Sequence, residues 1–273
     1  MAVPVGGPYG YTTILRDDRF GSSRTDGTIT SVAQLNPATT YGVNGTGWDT
    51  TMLHWAGSGG ANVSMQTDHL LLAPTGNTNP GFIVSHWEAL PSFSSNYYIE
   101  VRCMTGRGSS AASWPAIWLY SGNSPTSIDN NSEIDIAEQY YDLQFGSVAV
   151  GGLYPQYFTT TIHGAGHATT EGPKTTLTTG TDVTTSYNVY GCELTSVSGK
   201  VRWNVYFNGT LAQTATSDIT WTSSAPAVII GWNPGTSPYA PAQFKLDYVK
   251  IWQGRDKPKA GAFVSGGFYG AQT

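Results

Sequence analysis

Along most of this chain apolar and polar residues alternate with the two-residue period of a β-strand. No long segment carries the three-to-four spacing of an amphipathic helix. The clearest case is "VRWNVYFNGTLAQTA" (201–215), where two alternating runs flank Asn208-Gly209, a strong signal for a two-residue hairpin turn. "YYIEVRCM" (97–104), "YFTTTIH" (157–163) and "YNVYGCEL" (187–194) read as further strands. So does "FKLDYVKIW" (244–252), with Phe244, Leu246 and Tyr248 expected on one face. Between them lie turn-rich stretches such as "GSGGAN", "APTGNTNPG" and "NPGTSPY". Many short strands punctuated by glycine and proline predict an antiparallel sandwich or barrel. No repeat or change of composition marks a linker, so residues 1–273 read as one domain, with about 254–273 as a tail after the last strand.

One alternating segment is unusual. "SEIDIAEQY" (132–140) sets Glu133, Asp135 and Glu138 among apolar residues in a chain that is only 11% charged. In a strand, Glu133 and Asp135 share one face, and Ile134 and Ile136 take the other, toward the core. Glu138 lies five positions from Glu133 and would fall on the wrong face of a regular strand. A β-bulge near Ile136-Ala137 would return it to the acidic face. Like charges that close disfavour one another's ionisation, so one acid of such a group tends to keep its proton. An ionised carboxylate beside a protonated one is what glycoside hydrolysis requires. The same three acids would also serve as a solvated edge or as ligands to calcium.

Composition narrows the partners. With net charge −5 there is no general basic character for a nucleic-acid face. No apolar run approaches the ~18 residues of a membrane span. The N-terminus "MAVPVGGPYGYTTILRDDRF" lacks the pattern of a signal peptide. Cys103 and Cys192 form no C-x-x-C pair and read as small buried apolar residues, with a single disulfide between neighbouring strands as the alternative. His163 and His167, in "HGAGH", lack the H-E-x-x-H context of a zinc helix.

"SEIDIAE" resembles the E-x-D-x-x-E signature of glycoside hydrolase family 16, in the bulged form of its laminarinases, agarases and carrageenases. "SWPAIWLY" (113–120) resembles the family's W-P-A-F/I-W-M/L segment, and "GFIVSHWEALPSFSSNYYIEVRCM" a stretch upstream of it. "TTIHG", "YNVYGCELTSVSGKVRWNVYFNGTLAQTA" and "KLDYVKIWQ" resemble later family segments, in order, so the likeness runs from about residue 63 to 253. The chain departs from the family in "SIDNNSEID", which lacks the W-P of many laminarinases, and in "VIIGWNPG".

The resemblance implies an all-β fold, a concanavalin A-like β-sandwich of jelly-roll type with a concave substrate cleft. It implies a retaining endo-β-glycosidase, acting on β-1,3-glucan or mixed-linkage β-1,3-1,4-glucan. The alternatives are a β-galactan hydrolase of the agar or carrageenan type, and a non-catalytic sugar-binding protein on the same fold. By the same resemblance Glu133 is the nucleophile, Glu138 the general acid/base and Asp135 the assisting carboxylate. Trp114, Trp118, His163, Trp232 and Asn233 are then substrate-binding, and Arg102 matches the arginine that follows E-x in the family's upstream stretch. No cofactor is required, although a structural calcium would fall at Asp247. The implied partner is a polysaccharide, with no nucleic acid and no membrane, met by a monomer outside the cell or in the periplasm.

Overall fold

The computed structural model describes residues 10–20, 27–28, 63–72, 81–84, 96–105, 115–120, 133–138, 157–163, 175–178, 182–197, 200–217, 227–232 and 244–255. Within them are β1 (Tyr11–Arg19), β2 (Gly27–Thr28), β3 (Val63–Met65), β4 (Leu70–Leu72), β5 (Gly81–Val84), β6 (Tyr97–Thr105), β7 (Pro115–Tyr120) and β8 (Glu133–Glu138). There follow β9 (Tyr157–His163), β10 (Thr175–Thr178), β11 (Asn188–Val197), β12 (Lys200–Phe207), β13 (Thr210–Ser217), β14 (Ala227–Trp232) and β15 (Phe244–Arg255). All ladders are antiparallel and build two sheets. The larger, of nine strands among the described residues, runs β13-β12-β11-β6-β15-β4-β3-β2, with β1 also on β15. The smaller runs β10-β9-β8-β7-β14-β5. The architecture is a β-sandwich of jelly-roll type. Among the described residues no helix is long and apolar enough to cross a membrane.

Period-two alternation decides which side of each sheet is buried. On β6, Tyr97, Ile99, Val101 and Cys103 enter the core, while Glu100, Arg102 and Met104 remain partly exposed on the other side. Trp203, Leu194, Phe244 and Ile251 meet Ile117, Leu119, Ile134 and Val228 of the small sheet in the same cluster. Both cysteines are buried there and free. Cys103 pairs with Asn188 and Cys192 with Ile99, so the two stand at different rungs of the ladder.

The Asn208-Gly209 hairpin is present. Both residues are left-handed (φ 47° and 78°), as a type I′ turn needs. The turn is tied to β11: Asn208 N donates to Val189 O and Val189 N to Asn208 Oδ1, each at 2.9 Å.

The expectation for β15 is corrected at one residue. Phe244 and Leu246 enter the core, but the ladder slips between Leu246 and Tyr248. Asp247 is the extra residue, and its carbonyl accepts the N–H of Phe20 at 2.8 Å. Tyr248 therefore lies on the opposite face, and Val249 and Ile251 take over the core. β15 also continues through Gly254 and Arg255, where the tail was expected to begin.

Candidate active site

β8 bulges where the spacing of its acids requires. Against β7 the pairs are Tyr120 with Glu133, Leu119 with Ile134, Trp118 with Asp135, Ile117 with Ala137 and Ala116 with Glu138. Ile136 is left over. Against β9, Asp135 pairs with Thr161 and Glu138 with Thr159, so the same extra residue is absorbed on that side too. Ile136 and Ala137 are consecutive, yet both lie in the core cluster. Alanine is small enough to share that side with its neighbour. The slip restores Glu138 to the file of Glu133 and Asp135, on the face of the small sheet turned away from the core.

The register extends this file into a grid. One row reads Ala227, Tyr120, Glu133, His163. The next reads Val84, Ile229, Trp118, Asp135, Thr161. A third reads Phe82, Gly231, Ala116, Glu138, Thr159, Thr176. β7 can begin at Pro115 because the first residue of a strand is where a missing N–H is tolerated.

The acids differ in exposure. Glu133 is partly exposed, while Asp135 (1%) and Glu138 (8%) are buried. Burying carboxylates is costly, and two within four positions is an arrangement that folding alone would not select. Trp118 shares their face directly across from Asp135 and is itself 7% exposed, so most of its ring lies against protein. His163 ends β9 at the rung of Glu133. Trp232, the last residue of β14, falls by register in the file of Val228 and Ile230, the one opposite the acids. Trp114, Asn233 and His167 lie outside the described residues.

Arg102 and Asp247 belong to the other side of the molecule, on the outer face of the large sheet. There the Arg102 guanidinium is ion-paired with the Asp247 carboxylate and lies 4.8 Å from the Tyr187 ring centre. Among the described residues no group of three or more acids, histidines or cysteines could hold a metal ion. Calcium takes six to eight oxygens, and among the described residues Asp247 offers one carboxylate that is already paired with a guanidinium.

Sequence reasoning did not single out Tyr120, Ala116, Gly231, Thr159 or Thr161. The signal was available for two of them: counting by twos from Trp118 gives Ala116 and Tyr120. The others depend on pairing between distant strands.

No family model and no curated protein matches the sequence. Solved structures do. The chain is similar to an endo-1,3-beta-glucanase from Streptomyces sioyaensis, at 20% identity and TM-score 0.58, over 92% of this chain and 98% of that one. It is similar to a non-specific endo-beta-1,3(4)-glucanase from family GH16 crystallised with an oligosaccharide at its active site. There the identity is 17% and the TM-score 0.58, over 92% and 98% of the chains. A Bacteroides ovatus mixed linkage glucan GH16 protein in complex with a product gives 16% identity and TM-score 0.53, over 90% and 98%. The chain therefore has the fold of these proteins.

Proposed function

We propose that the chain is a family 16 glycoside hydrolase that cleaves β-1,3-glucan or mixed-linkage β-1,3-1,4-glucan internally, with retention of configuration. The observation that carries this reading is the bulge of β8, which returns Glu138 to the file of Glu133 and Asp135. A strand accommodates such a defect most readily where it re-aims a side chain. The glucanases that share the fold support the choice of substrate.

Glu133 and Glu138 stand four ladder steps apart, about 14 Å between Cα atoms at ~3.4 Å per residue. Two glutamate side chains can reach a sugar lying between them from either end. Glu138 gives its proton to the glycosidic oxygen as the Glu133 carboxylate attacks the anomeric carbon. The bond to the leaving sugar breaks and an ester to Glu133 forms. Glu138, now ionised, takes a proton from water, whose oxygen attacks the same carbon and expels Glu133 as carboxylate. Asp135 sits in the file between the two glutamates, where its burial keeps it close to the reacting charge. One chain carries all three acids, so a monomer suffices, and a polymeric substrate places the work outside the cell or in the periplasm.

The test is sugar release from laminarin, mixed-linkage glucan, agarose and carrageenan, with Glu133→Gln as control. Oligosaccharides from a glucan, lost in the variant, are expected. Undiminished release by Glu133→Gln, or none from folded wild-type protein, would overturn the assignment.

A further inference from the structure

Asn-Gly occurs twice in the chain, at Asn44-Gly45 and Asn208-Gly209, each time followed by threonine. A glycine without a Cβ leaves its backbone N–H unshielded beside the preceding carboxamide, which makes this dipeptide prone to deamidation. Asn44 lies outside the described residues. At the turn between β12 and β13 the Asn208 carboxamide is held at both ends. Its Oδ1 accepts the N–H of Val189 at 2.9 Å, and its Nδ2 donates to Asn188 Oδ1 at 3.0 Å. The Asn208 N–H donates to Val189 O at 2.9 Å. With the backbone left-handed at Asn208, the side-chain carbonyl continues the ladder one step past Tyr190 and Phe207, where a backbone carbonyl would otherwise accept. Asn188 is itself fixed: it is 3% exposed, and its Nδ2 donates to Ser186 O at 2.9 Å. Backbone groups at the two ends of this chain of bonds, Val189 N–H and Ser186 C=O, settle which atom of each amide accepts and which donates.

We propose that Asn208 is a deamidation site that Asn188 and Val189 keep closed, and that it reacts when the turn leaves β11. The reaction needs Gly209 N to reach Asn208 Cγ. Gly209 gives its amide proton to a solvent base, the nitrogen bonds to Cγ, and the Cγ–Nδ2 bond breaks with release of ammonia. Water then opens the cyclic imide at either carbonyl and leaves aspartate or isoaspartate. While both ends of the carboxamide are bonded to β11, Cγ is not free to swing to Gly209. Asn208 is exposed, so water for the second step is at hand. The product fits the dock poorly. Aspartate keeps an oxygen for Val189 N–H, but its other oxygen meets Asn188 Oδ1, acceptor against acceptor. Isoaspartate adds a backbone carbon and upsets the register of the turn. A hairpin that has opened for long enough is thereby marked, and closes less well afterwards.

Asn-Gly is also a favoured pair for a type I′ turn with no chemistry implied. The rate of the reaction separates the two roles. Wild type and Asn188→Ala are incubated at mildly alkaline pH, folded in buffer and unfolded in urea, and peptide mapping by mass spectrometry follows aspartate and isoaspartate at position 208. In urea Asn208 and Asn44 should react alike, which checks the assay. Folded wild type should react at Asn208 at least about tenfold more slowly than in urea, a factor that two net hydrogen bonds supply. Folded Asn188→Ala should react at least about threefold faster than folded wild type, since one of those bonds is gone. Equal rates at Asn208 in folded and unfolded wild type would overturn the proposal. So would equal rates in wild type and an Asn188→Ala that still unfolds cooperatively. Should Asn188→Ala fail to fold, the two wild-type rates decide alone.

Discussion

Asp135 pairs with Trp118, and one step further along β8 the residue that pairs with Ile117 is Ala137 rather than Ile136. The surplus residue is opposed by nothing on β7 or on β9, so β8 carries one residue more than both neighbours. Removing it should let the ladders close flush. Deleting Ala137 leaves Glu-Ile-Asp-Ile-Glu, whose strict alternation still holds all three acids on one face. Deleting Ile134 instead moves Glu133 into the core file. We expect the Ala137 deletion to melt cooperatively and keep measurable sugar release, and the Ile134 deletion to lose both. Thermal denaturation with product analysis checks this, and an inactive but stable Ala137 deletion would show that the bulge itself is needed.

Gly191 lies under the Tyr98 ring. A Cβ there would come within 2.0 Å of the Tyr98 hydroxyl oxygen and 2.7 Å of the ring carbon that bears it. Tyr98 cannot swing clear, because Tyr11, Tyr206 and Trp252 pack around it with ring centres 5.7–6.0 Å away. Gly191→Ala should therefore cost about 1–3 kcal/mol, the usual penalty of overpacking. Urea denaturation measures it. Because the site lies on the other sheet, activity of the protein that remains folded should not change.

The strands and the bulge were legible because both follow from side-chain alternation, a local property. The acids announced the bulge because a five-residue spacing cannot lie on one face of a regular strand. The slip at Asp247 was missed for the converse reason. Phe244, Leu246 and Tyr248 fit a regular strand, and the signal that they are not one is the N–H of Phe20, more than two hundred residues away. Trp232 was placed by its neighbourhood in sequence, whereas its face depends on pairing with Pro115.

Glu193 is buried on the outer face of the large sheet and is held by three side chains. Tyr11 donates to Oε1 at 3.2 Å, and Asn204 and Tyr206 donate to Oε2 at 2.6 and 3.4 Å. Tyr11 comes from the first strand, so this contact fastens β1 to β11 across 182 residues of sequence. Tyr11→Phe keeps the ring packing and removes one donor to a buried carboxyl group, which should cost about 1–3 kcal/mol. Asn204→Ala should cost a similar amount. Tyr11→Phe is also expected to speed proteolysis within β1 more than within β12, as mass spectrometry of limited digests would show. Equal protection of β1 in the variant would mean that its pairing with β15 alone holds it.

The outer face also sets a limit on stability in alkali. Burial, reinforced by the carboxylates of Asp68 and Asp247 and opposed by Arg102, pushes the Tyr187 phenol from 10.0 up to about 12. Burial also raises Tyr248, helped by Glu100, which accepts a hydrogen bond from its hydroxyl at 2.7 Å. Below pH 10 the folded and unfolded chains both keep these protons, and the full stability is present. Between pH 10 and about 12 the unfolded chain releases the Tyr187 proton and the folded chain does not, so stability falls as pH rises. The loss is complete once the folded phenol has titrated as well. Tyr187→Phe removes its share of that slope, lowering the protons released on unfolding by up to roughly one. Urea midpoints measured from pH 8 to 12 should therefore decline less steeply in Tyr187→Phe, and less steeply again with Tyr248→Phe added. Below pH 9 the slope of each variant should match that of wild type. Identical slopes in wild type and variants above pH 10 would mean that these phenols titrate alike folded and unfolded.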